Sequence, residues 1–431
     1  MEQLKLSPVG AIKGEINLPG SKSLTNRALL LSALAEGHTR LENPLSSDDT
    51  LRMMQALRQL GVTLSISDNG QYTQVNGNGG LFQPPGNKSF YLGNAGTAIR
   101  PLTSILSLVP GVYRIDGDEY MHERPIAHLC DALCQLGSTV EYLSREGFPP
   151  LEIVGGRVKG DNVSIPGNIS SQYLTSLLLA LPMAENDSTI TVIGDQVSKP
   201  YLDITIGIMK QFGVSLTHEN YQRFLISGRQ RYLSPGRYLI EGDASSASYF
   251  FAAAAISGSV TVHGIGEHSV QGDIRFLDTL EKMGAVVSRH ADHITVSKPG
   301  GQNPSVLRGI DVDLNHIPDA AMTIAVLALF ADRPTRIRNV YNWRVKETDR
   351  MYAMATELTR LGANVATTDD SITIHPPAEI RSACIETYGD HRMAMCFSLA
   401  ALGKATITIK DPDCTRKTFP DYFQVFASIC H

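Results

Sequence analysis

Six times along the chain a short extended run reaches a small polar loop and then becomes an Ala/Leu-rich apolar helix. The loops are Gly20-Ser21-Lys22-Ser23, Gly93-Asn94-Ala95-Gly96, Gly167-Asn168-Ile169-Ser170-Ser171, Gly242-Asp243-Ala244-Ser245-Ser246, Asn315-His316-Ile317-Pro318-Asp319 and Tyr388-Gly389-Asp390-His391-Arg392. From Lys22 through Asn94, Asn168, Asp243, Asp319 and Asp390, each step is 71 to 76 residues. A second marker repeats out of phase: a charged amphipathic helix that ends in an apolar residue, a glycine and a short strand. Its glycines are Gly61, Gly137, Gly213, Gly284 and Gly362, where a left-handed helix cap is expected. One unit therefore reads strand, polar loop, apolar helix, strand, amphipathic helix, strand, and six such units fill the chain.

The sixth unit is cut short, because its second helix, near 419–429, runs into the C-terminus. Residues 3–18 hold strand-like runs without a unit of their own, and they are expected to complete the last one. With three units per domain, one domain covers 21–240 and the other 241–431 plus 1–20. The chain then crosses between them near 20 and within 234–241, and two crossings make a natural hinge. The fold class is α/β, with two domains each of three repeated β-α-β-α-β units.

Length supports the same division, since 431 residues exceed what one core usually organises. A net charge of −5 excludes a broad nucleic-acid or anionic-membrane binder, so no such partner is expected and any anion site must be local. The first 20 residues lack a signal-peptide-like apolar stretch, and the longest apolar helix, 320–331, is far short of a membrane span. A cytoplasmic location is expected. Six cysteines in so long a chain form no disulfide framework. Cys130 and Cys134, four apart on an apolar helix, are read as buried or half-buried structural residues, with no metal implied.

The chemistry gathers at the helix beginnings, whose unpaired N–H groups and positive dipole end favour anions. Lys22, Arg27, Arg100, Arg124, Arg344, Lys346, Arg350, Arg392 and Lys417 lie in or beside these loops, a directed basic site in an acidic chain. Asp48, Asp49, Asp319, Glu347, Asp349 and Asp390 share the same places. Capping explains Asp48 and Asp390 by itself. Asp319 and Glu347 are flanked by groups that alter proton affinity; Glu347 lies between Lys346 and Arg350, which favour its ionised form unless substrate charge offsets them. A P-loop fails on spacing, because Gly14 and Gly20 do not frame the required pattern, and Gly77-Asn78-Gly79-Gly80 opens no helix for a dinucleotide.

From Leu18-Pro19-Gly20-Ser21-Lys22-Ser23-Leu24-Thr25-Asn26-Arg27-Ala28 onward the chain closely resembles the 5-enolpyruvylshikimate-3-phosphate synthase family. The likeness continues through Leu92-Gly93-Asn94-Ala95-Gly96-Thr97-Ala98, Glu123-Arg124-Pro125-Ile126, Glu241-Gly242-Asp243-Ala244-Ser245-Ser246-Ala247, Asn342-Trp343-Arg344-Val345-Lys346-Glu347-Thr348-Asp349-Arg350 and Asp390-His391-Arg392-Met393-Ala394. The resemblance implies two inverse α/β domains closing over a cleft, and a monomer. It implies transfer of the enolpyruvyl group of phosphoenolpyruvate to shikimate 3-phosphate, with release of phosphate and no metal or organic cofactor. Shikimate 3-phosphate is then expected at Lys22, Ser23, Arg27, Ser170, Ser171, Gln172, Ser198 and Tyr201, with Asp319, Asn342 and Lys346 on the ring hydroxyls. Phosphoenolpyruvate is expected at Lys22, Asn94, Gly96, Arg124, Gln172, Arg350, Arg392 and Lys417. The catalytic set is Asp319 as base, Glu347 as acid, Lys22 bridging the substrates, and Asp49 and His391 as lesser candidates. For His391 a structural role stands equally. Glyphosate is the family's inhibitor, and Gly96 marks the sensitive type, because resistant members carry alanine there.

Tyr120 and His122, beside Arg124, stand where the family pattern has basic residues. The sister family acting on UDP-N-acetylglucosamine carries a catalytic cysteine before its Arg-Pro, and residues 118–124 contain none. A non-catalytic sugar-phosphate binding protein would explain the anion loops but not Asp319 and Glu347 beside them.

Overall fold

The computed structural model describes residues 2–80, 82, 88–298, 300 and 306–431. Among the described residues six sheets carry the fold, and they share one pattern. In the second repeat, strand Lys88–Tyr91 leads into helix Gly96–Leu108, strand Gly111–Asp116, helix Ala127–Gln135, and the strands Thr139–Tyr142 and Leu151–Gly155. The lead strand pairs parallel with Gly111–Asp116, which a helical crossover permits, and Leu151–Gly155 inserts antiparallel beside it. Each full unit thus closes with a hairpin, giving four strands rather than the three read from the sequence, in the order first, second, fourth, third.

Two compact units result, Gly20–Ile240 and Met1–Pro19 with Glu241–His431. At both crossings the strand that precedes a loop in sequence does not belong to the helix that follows. Ile12–Asn17 runs into the loop of Lys22, yet it pairs parallel with Gly258–His263. Arg237–Leu239 runs into the loop of Asp243, yet it pairs parallel with Glu36–Glu42. Residues 3–18 therefore do not complete the last repeat as a block. Only Gln3–Leu6 does so, antiparallel to Ile407–Lys410, in the place the fourth strand takes elsewhere.

The two helix types differ as their side chains dictate. In Lys22–Leu34 the consecutive residues Leu29, Leu30 and Leu31 are all fully buried, so this helix is enclosed on every side. Each such leucine contributes about 1.5–3 kcal/mol on leaving water. Phe276–Met283 instead buries Phe276, Leu277, Leu280 and Met283 and turns Asp278 and Glu281 outward. It stops at Gly284, whose φ of 103° is left-handed, and Gly61, Gly137, Gly213 and Gly362 end their helices likewise at φ of 79° to 102°.

All six cysteines are free thiols. Cys130 is buried and its thiol is pushed up to about 12 by desolvation, whereas Cys134 is exposed, not half-buried, on the outer face of its helix. Among the described residues, no helix is long and apolar enough to cross a membrane.

Candidate active site

In unit 20–240 side chains tie the three repeats to one another in a triangle. Asn26 Nδ2 donates to Thr97 Oγ1 at 2.6 Å, joining the first repeat to the second. Arg100 Nη1 donates to Gln172 Oε1 at 2.7 Å and Nη2 to the Pro125 carbonyl at 3.1 Å, joining the second to the third. Arg27 Nε donates to Thr205 Oγ1 at 2.9 Å and Nη1 to the Ser23 carbonyl at 3.0 Å, joining the first to the third. Burial lowers the Arg27 guanidinium to about 10, against Tyr201 and Tyr238, which favour its charge. It remains a cation at neutral pH.

The other expected groups of this unit surround that triangle. Lys22 opens its helix, nearly buried, with Nζ 3.2 Å from Asp49 Oδ2. Ser47 caps the Asp49 helix through a capping box with Thr50, so Asp48, exposed at the first helical position, is not the cap. Ser170 caps the third helix by accepting from the Gln172 backbone N–H at 3.2 Å, with Ser171 buried behind it. Ser198 is buried at φ 54°, and its carbonyl accepts from the Tyr201 N–H at 3.1 Å. Arg124 Nη1 donates to Asn94 Oδ1 at 2.8 Å, and a Cβ built on Gly96 would lie 2.8 Å from Arg124 Nη2 and 2.5 Å from Arg100 Nη1. His122 pairs with Asp116 at 2.9 Å, and Tyr120 is exposed.

The unit formed by 241–431 with the N-terminal strands carries a denser ionic network. Arg350, wholly buried, reaches three carboxylates: Asp390 Oδ2 through Nε at 2.7 Å, Asp319 Oδ1 through Nη1 at 2.8 Å and Glu347 Oε2 through Nη2 at 2.8 Å. Asp390 is thus more than the helix cap it also provides by accepting from the Arg392 N–H at 2.9 Å. Asp319 further meets Arg392 Nη2 at 2.9 Å and Lys346 Nζ at 3.4 Å, while Lys417 Nζ lies 4.0 Å from Glu347 Oε1. Burial by itself would raise the Asp319 carboxyl. Arg392, Lys346 and Arg350 overcome it and hold Asp319 well below the usual carboxylate range, with Glu347 opposing them.

Trp343 fixes the loop of Asp319 by donating Nε1–H to the Pro318 carbonyl at 2.7 Å, beside the buried Asn342. His391 is fully enclosed, its Nδ1 3.5 Å from Asp390 Oδ1. Arg392 Nη1 donates to the Tyr249 hydroxyl at 3.2 Å.

Several of these partners were not assigned from sequence. Thr205, Trp343 and Tyr249 lie outside the six loops or within apolar helices, and only tertiary packing brings them to the site. Gln172 was assigned, but nothing local marked Arg100 as the group that orients its amide. Among the described residues no group of three His, Cys, Asp or Glu is placed to hold a metal.

Two inverse three-repeat α/β units with basic helix beginnings define the enolpyruvyl transferase class. The enolpyruvyl transferase NikO from Streptomyces tendae shares this fold at a TM-score of 0.80 and 17% identity, covering 99% of this chain and 97% of that one. EPSP synthase from Acinetobacter baumannii superposes with a TM-score of 0.82 at 26% identity over 100% of this chain and 98% of its own. The family model described as EPSP synthase (3-phosphoshikimate 1-carboxyvinyltransferase) matches residues 6–426, and the chain belongs to that family. It is 54% identical over 429 residues to the 3-phosphoshikimate 1-carboxyvinyltransferase of Aeromonas salmonicida, covering 100% of this chain and 99% of that protein. To the Yersinia pseudotuberculosis enzyme of the same name it is 55% identical over 430 residues, with the same coverage.

Proposed function

We propose that this chain transfers the enolpyruvyl group of phosphoenolpyruvate to the 5-hydroxyl of shikimate 3-phosphate and releases inorganic phosphate, in the shikimate pathway to the aromatic amino acids. The observation that carries this reading is the family match over nearly the whole chain, joined to an Asp319–Arg350–Glu347 constellation centred on the wholly buried Arg350, which a mere phosphate binder does not need.

In the reaction, Asp319 accepts the proton of the attacking hydroxyl while its oxygen bonds to C2 of phosphoenolpyruvate. Glu347 delivers a proton to the C3 methylene, giving a tetrahedral adduct. The C2–O bond to phosphate then breaks, the departing phosphate oxygen takes the proton held by Asp319, and C3 returns a proton to Glu347 as the enol double bond is restored. Arg350, Arg392 and Lys417 take the anionic groups of phosphoenolpyruvate, together with Lys22, Asn94, Gly96, Arg124 and Gln172. Drawing Arg350 and Lys417 toward substrate charge relieves Glu347 of cations and favours its acid form. Shikimate 3-phosphate takes its phosphate contacts from Lys22, Ser23, Arg27, Ser170, Ser171, Gln172, Ser198 and Tyr201, and its hydroxyl contacts from Asp319, Asn342 and Lys346. Lys22, paired with Asp49, offsets charge as phosphate leaves. The residues thus divide between the phosphate-binding unit 20–240 and the acid–base unit. Glyphosate competes with phosphoenolpyruvate, and the enzyme works as a cytoplasmic monomer.

Phosphate release on mixing phosphoenolpyruvate with shikimate 3-phosphate tests the assignment. Release with UDP-N-acetylglucosamine instead would assign the sister reaction, and release with neither would leave a binding protein.

A further inference from the structure

Just before Asp390 the chain makes a turn that its residues do not favour. Tyr388 and Gly389 both take left-handed backbone, at φ of 55° and 66°, and the Asp390 N–H closes the turn on the Thr387 carbonyl at 2.9 Å. Asparagine, aspartate or glycine usually supplies the first of these positions, and a bulky aromatic residue holds it only where its surroundings enforce it. Here the enforcing contacts come from helix Arg350–Arg360. The hydroxyl of half-buried Tyr388 donates to Glu357 Oε1 at 2.9 Å, and its ring meets that of Tyr352 edge-on at 6.3 Å. Arg360 Nη1 donates to the Cys384 carbonyl at 2.7 Å, in the strand Ala383–Ile385 that leads into the turn, and Arg360 Nε lies 3.4 Å from Glu357 Oε2. Glu357 has no part in the scheme above, yet it is fully buried. Burial raises its carboxyl, against the Tyr388 bond and Arg360. Burial and then Glu357 push the Tyr388 phenol up to about 12, so it stays a donor throughout the neutral range.

Glu357 follows Arg350 by seven residues, two turns along the same helix face and about 10 Å along its axis. Helix and loop are therefore joined twice: at the helix beginning by Arg350 Nε and Asp390 Oδ2 at 2.7 Å, and two turns on by Glu357 and Tyr388. On the loop side only Gly389 separates the two joints, and a glycine by itself would allow many other paths. We propose that Tyr388 and Glu357 are positioning residues for the reaction: their hydrogen bond holds the turn 387–390, and so sets where Asp390 seats the Arg350 guanidinium and where Arg392 stands beside Asp319. The inference rests on the reading of Arg350 and Arg392 as phosphoenolpyruvate contacts. Without the bond, Tyr388 is free to leave its left-handed backbone, and Asp390 and Arg392 move with it.

The test is the steady-state kinetics of Tyr388→Phe, which removes one hydroxyl and keeps the ring. KM for phosphoenolpyruvate should rise about tenfold, while KM for shikimate 3-phosphate, whose phosphate contacts are assigned to unit 20–240, stays within about twofold. A merely structural loss would lower the folded fraction, and with it the apparent kcat, and leave both KM values unchanged; that result overturns the proposal. Glu357→Gln retains an acceptor for the hydroxyl and should stay within about threefold of the wild type, whereas Glu357→Ala should match Tyr388→Phe. Equal effects of the two Glu357 substitutions overturn the proposal too, and this pair decides it should Tyr388→Phe fold poorly. The double variant Tyr388→Phe/Glu357→Ala should be no worse than either single one, and additive losses would mean that the two residues act apart. The NMR resonance of the Arg350 Nε–H, held on Asp390, gives a reading without substrate. It should move in Tyr388→Phe and Glu357→Ala, and an unmoved resonance sinks the inference. Should the wild type itself release no phosphate from the two substrates, the proposed function falls, and this resonance still decides whether Tyr388 and Glu357 place Asp390 against Arg350.

Discussion

The two units repeat one scaffold and treat the guanidiniums at their helix beginnings in opposite ways, although Lys22 of unit 20–240 is itself paired with Asp49. In each, three buried helices begin together and are cross-linked by short polar side chains: Asn26 with Thr97 in one, Ser248 with Thr323 at 2.9 Å in the other. In unit 20–240, Arg27 and Arg124 are met by a hydroxyl, carbonyls and an amide oxygen, and among the described residues neither forms an ion pair. Their charge is left uncompensated, as a phosphate or carboxylate receptor requires. In the other unit Arg350 is matched by three carboxylates, and Asp319 by three cations. There the charges are balanced internally and what they set is proton affinity. On the proposed reading, the same helix-start geometry serves an anion receptor or an acid–base centre, according to whether the acceptors around each guanidinium are neutral or ionised.

The strongest way to break this contrast is to remove a carboxylate from the balanced side. Asp319→Asn and Glu347→Gln keep shape and lose proton transfer, so kcat should fall about 10²- to 10⁴-fold with substrate binding retained. Steady-state rates and titration calorimetry decide it. Near-normal turnover in either variant would strike that residue from its role.

Stability should divide along the same line. Arg350→Met leaves Asp319, Glu347 and Asp390 facing one another without their shared cation, and should cost about 3–5 kcal/mol. Arg27→Met loses bonds to neutral groups only, and should cost about 1–2 kcal/mol while sharply weakening shikimate 3-phosphate binding. Trp343, the chain's one tryptophan, is buried in the acid–base unit and reports its unfolding, while circular dichroism follows both units. Equal losses would mean that the ionic partners of Arg350 contribute no more than the neutral ones of Arg27.

That contrast was only half legible in the sequence. The six loops and five capping glycines are local patterns, and evenly spaced repeats expose them. The ownership of Ile12–Asn17 and Arg237–Leu239 is not local, because alternation marks a strand but not the sheet it joins. Closing hairpins such as Thr139–Tyr142 with Leu151–Gly155 escaped for a related reason, since one of their strands, half exposed at the sheet edge, has weak patterning. Charge at Asp319 and Glu347 was visible, but the neutrality of the partners of Arg27 was not, for Thr205 lies 178 residues away. Asp273 carries no motif at all, and only the clamp by Gln271 seats its turn on the beginning of helix Ala244–Ser257.

Asp273, buried in the turn Gly272–Arg275 and accepting from Ser245 Oγ, also sharpens the comparison through linkage. Its folded value of about 6 lies above the unfolded value near 3.9, so the folded chain holds the extra proton between those limits. Its contribution therefore declines as pH rises from about 4 to 6 and stays low above. Asp319, held low, acts with the opposite sign, and its contribution is lost only as pH falls below about 4. Asp273→Asn should accordingly be more stable than the wild type at pH 8, by on the order of 2 kcal/mol, with the gap closing toward pH 4. Urea midpoints at the two pH values check this. A variant less stable at pH 8 would make Asp273 a structural residue.

The smallest effect expected is at Gly96, on the receptor side. Its backbone is one that any residue can adopt, so the cost of alanine there is steric rather than conformational. The added methyl meets Arg100 Nη1 at 2.5 Å and Arg124 Nη2 at 2.8 Å, both on buried guanidiniums held by Gln172, Pro125 and Asn94. It therefore pushes on the cations as well as narrowing the space beside them. Phosphoenolpyruvate is the shorter ligand and should lose about twofold in KM. Glyphosate sets a longer chain between its phosphonate and carboxylate, and its Ki should rise at least about tenfold, some 1.4 kcal/mol. Gly207, exposed in helix Pro200–Gln211 with open space around its Cβ direction, supplies the control. Alanine there should add about 0.5–1 kcal/mol of stability and change neither constant. Competition kinetics at several phosphoenolpyruvate concentrations measure both constants. A parallel rise in the two for Gly96→Ala would mean that the methyl acts only through Arg100 and Arg124, and that glyphosate does not occupy the space beside Gly96.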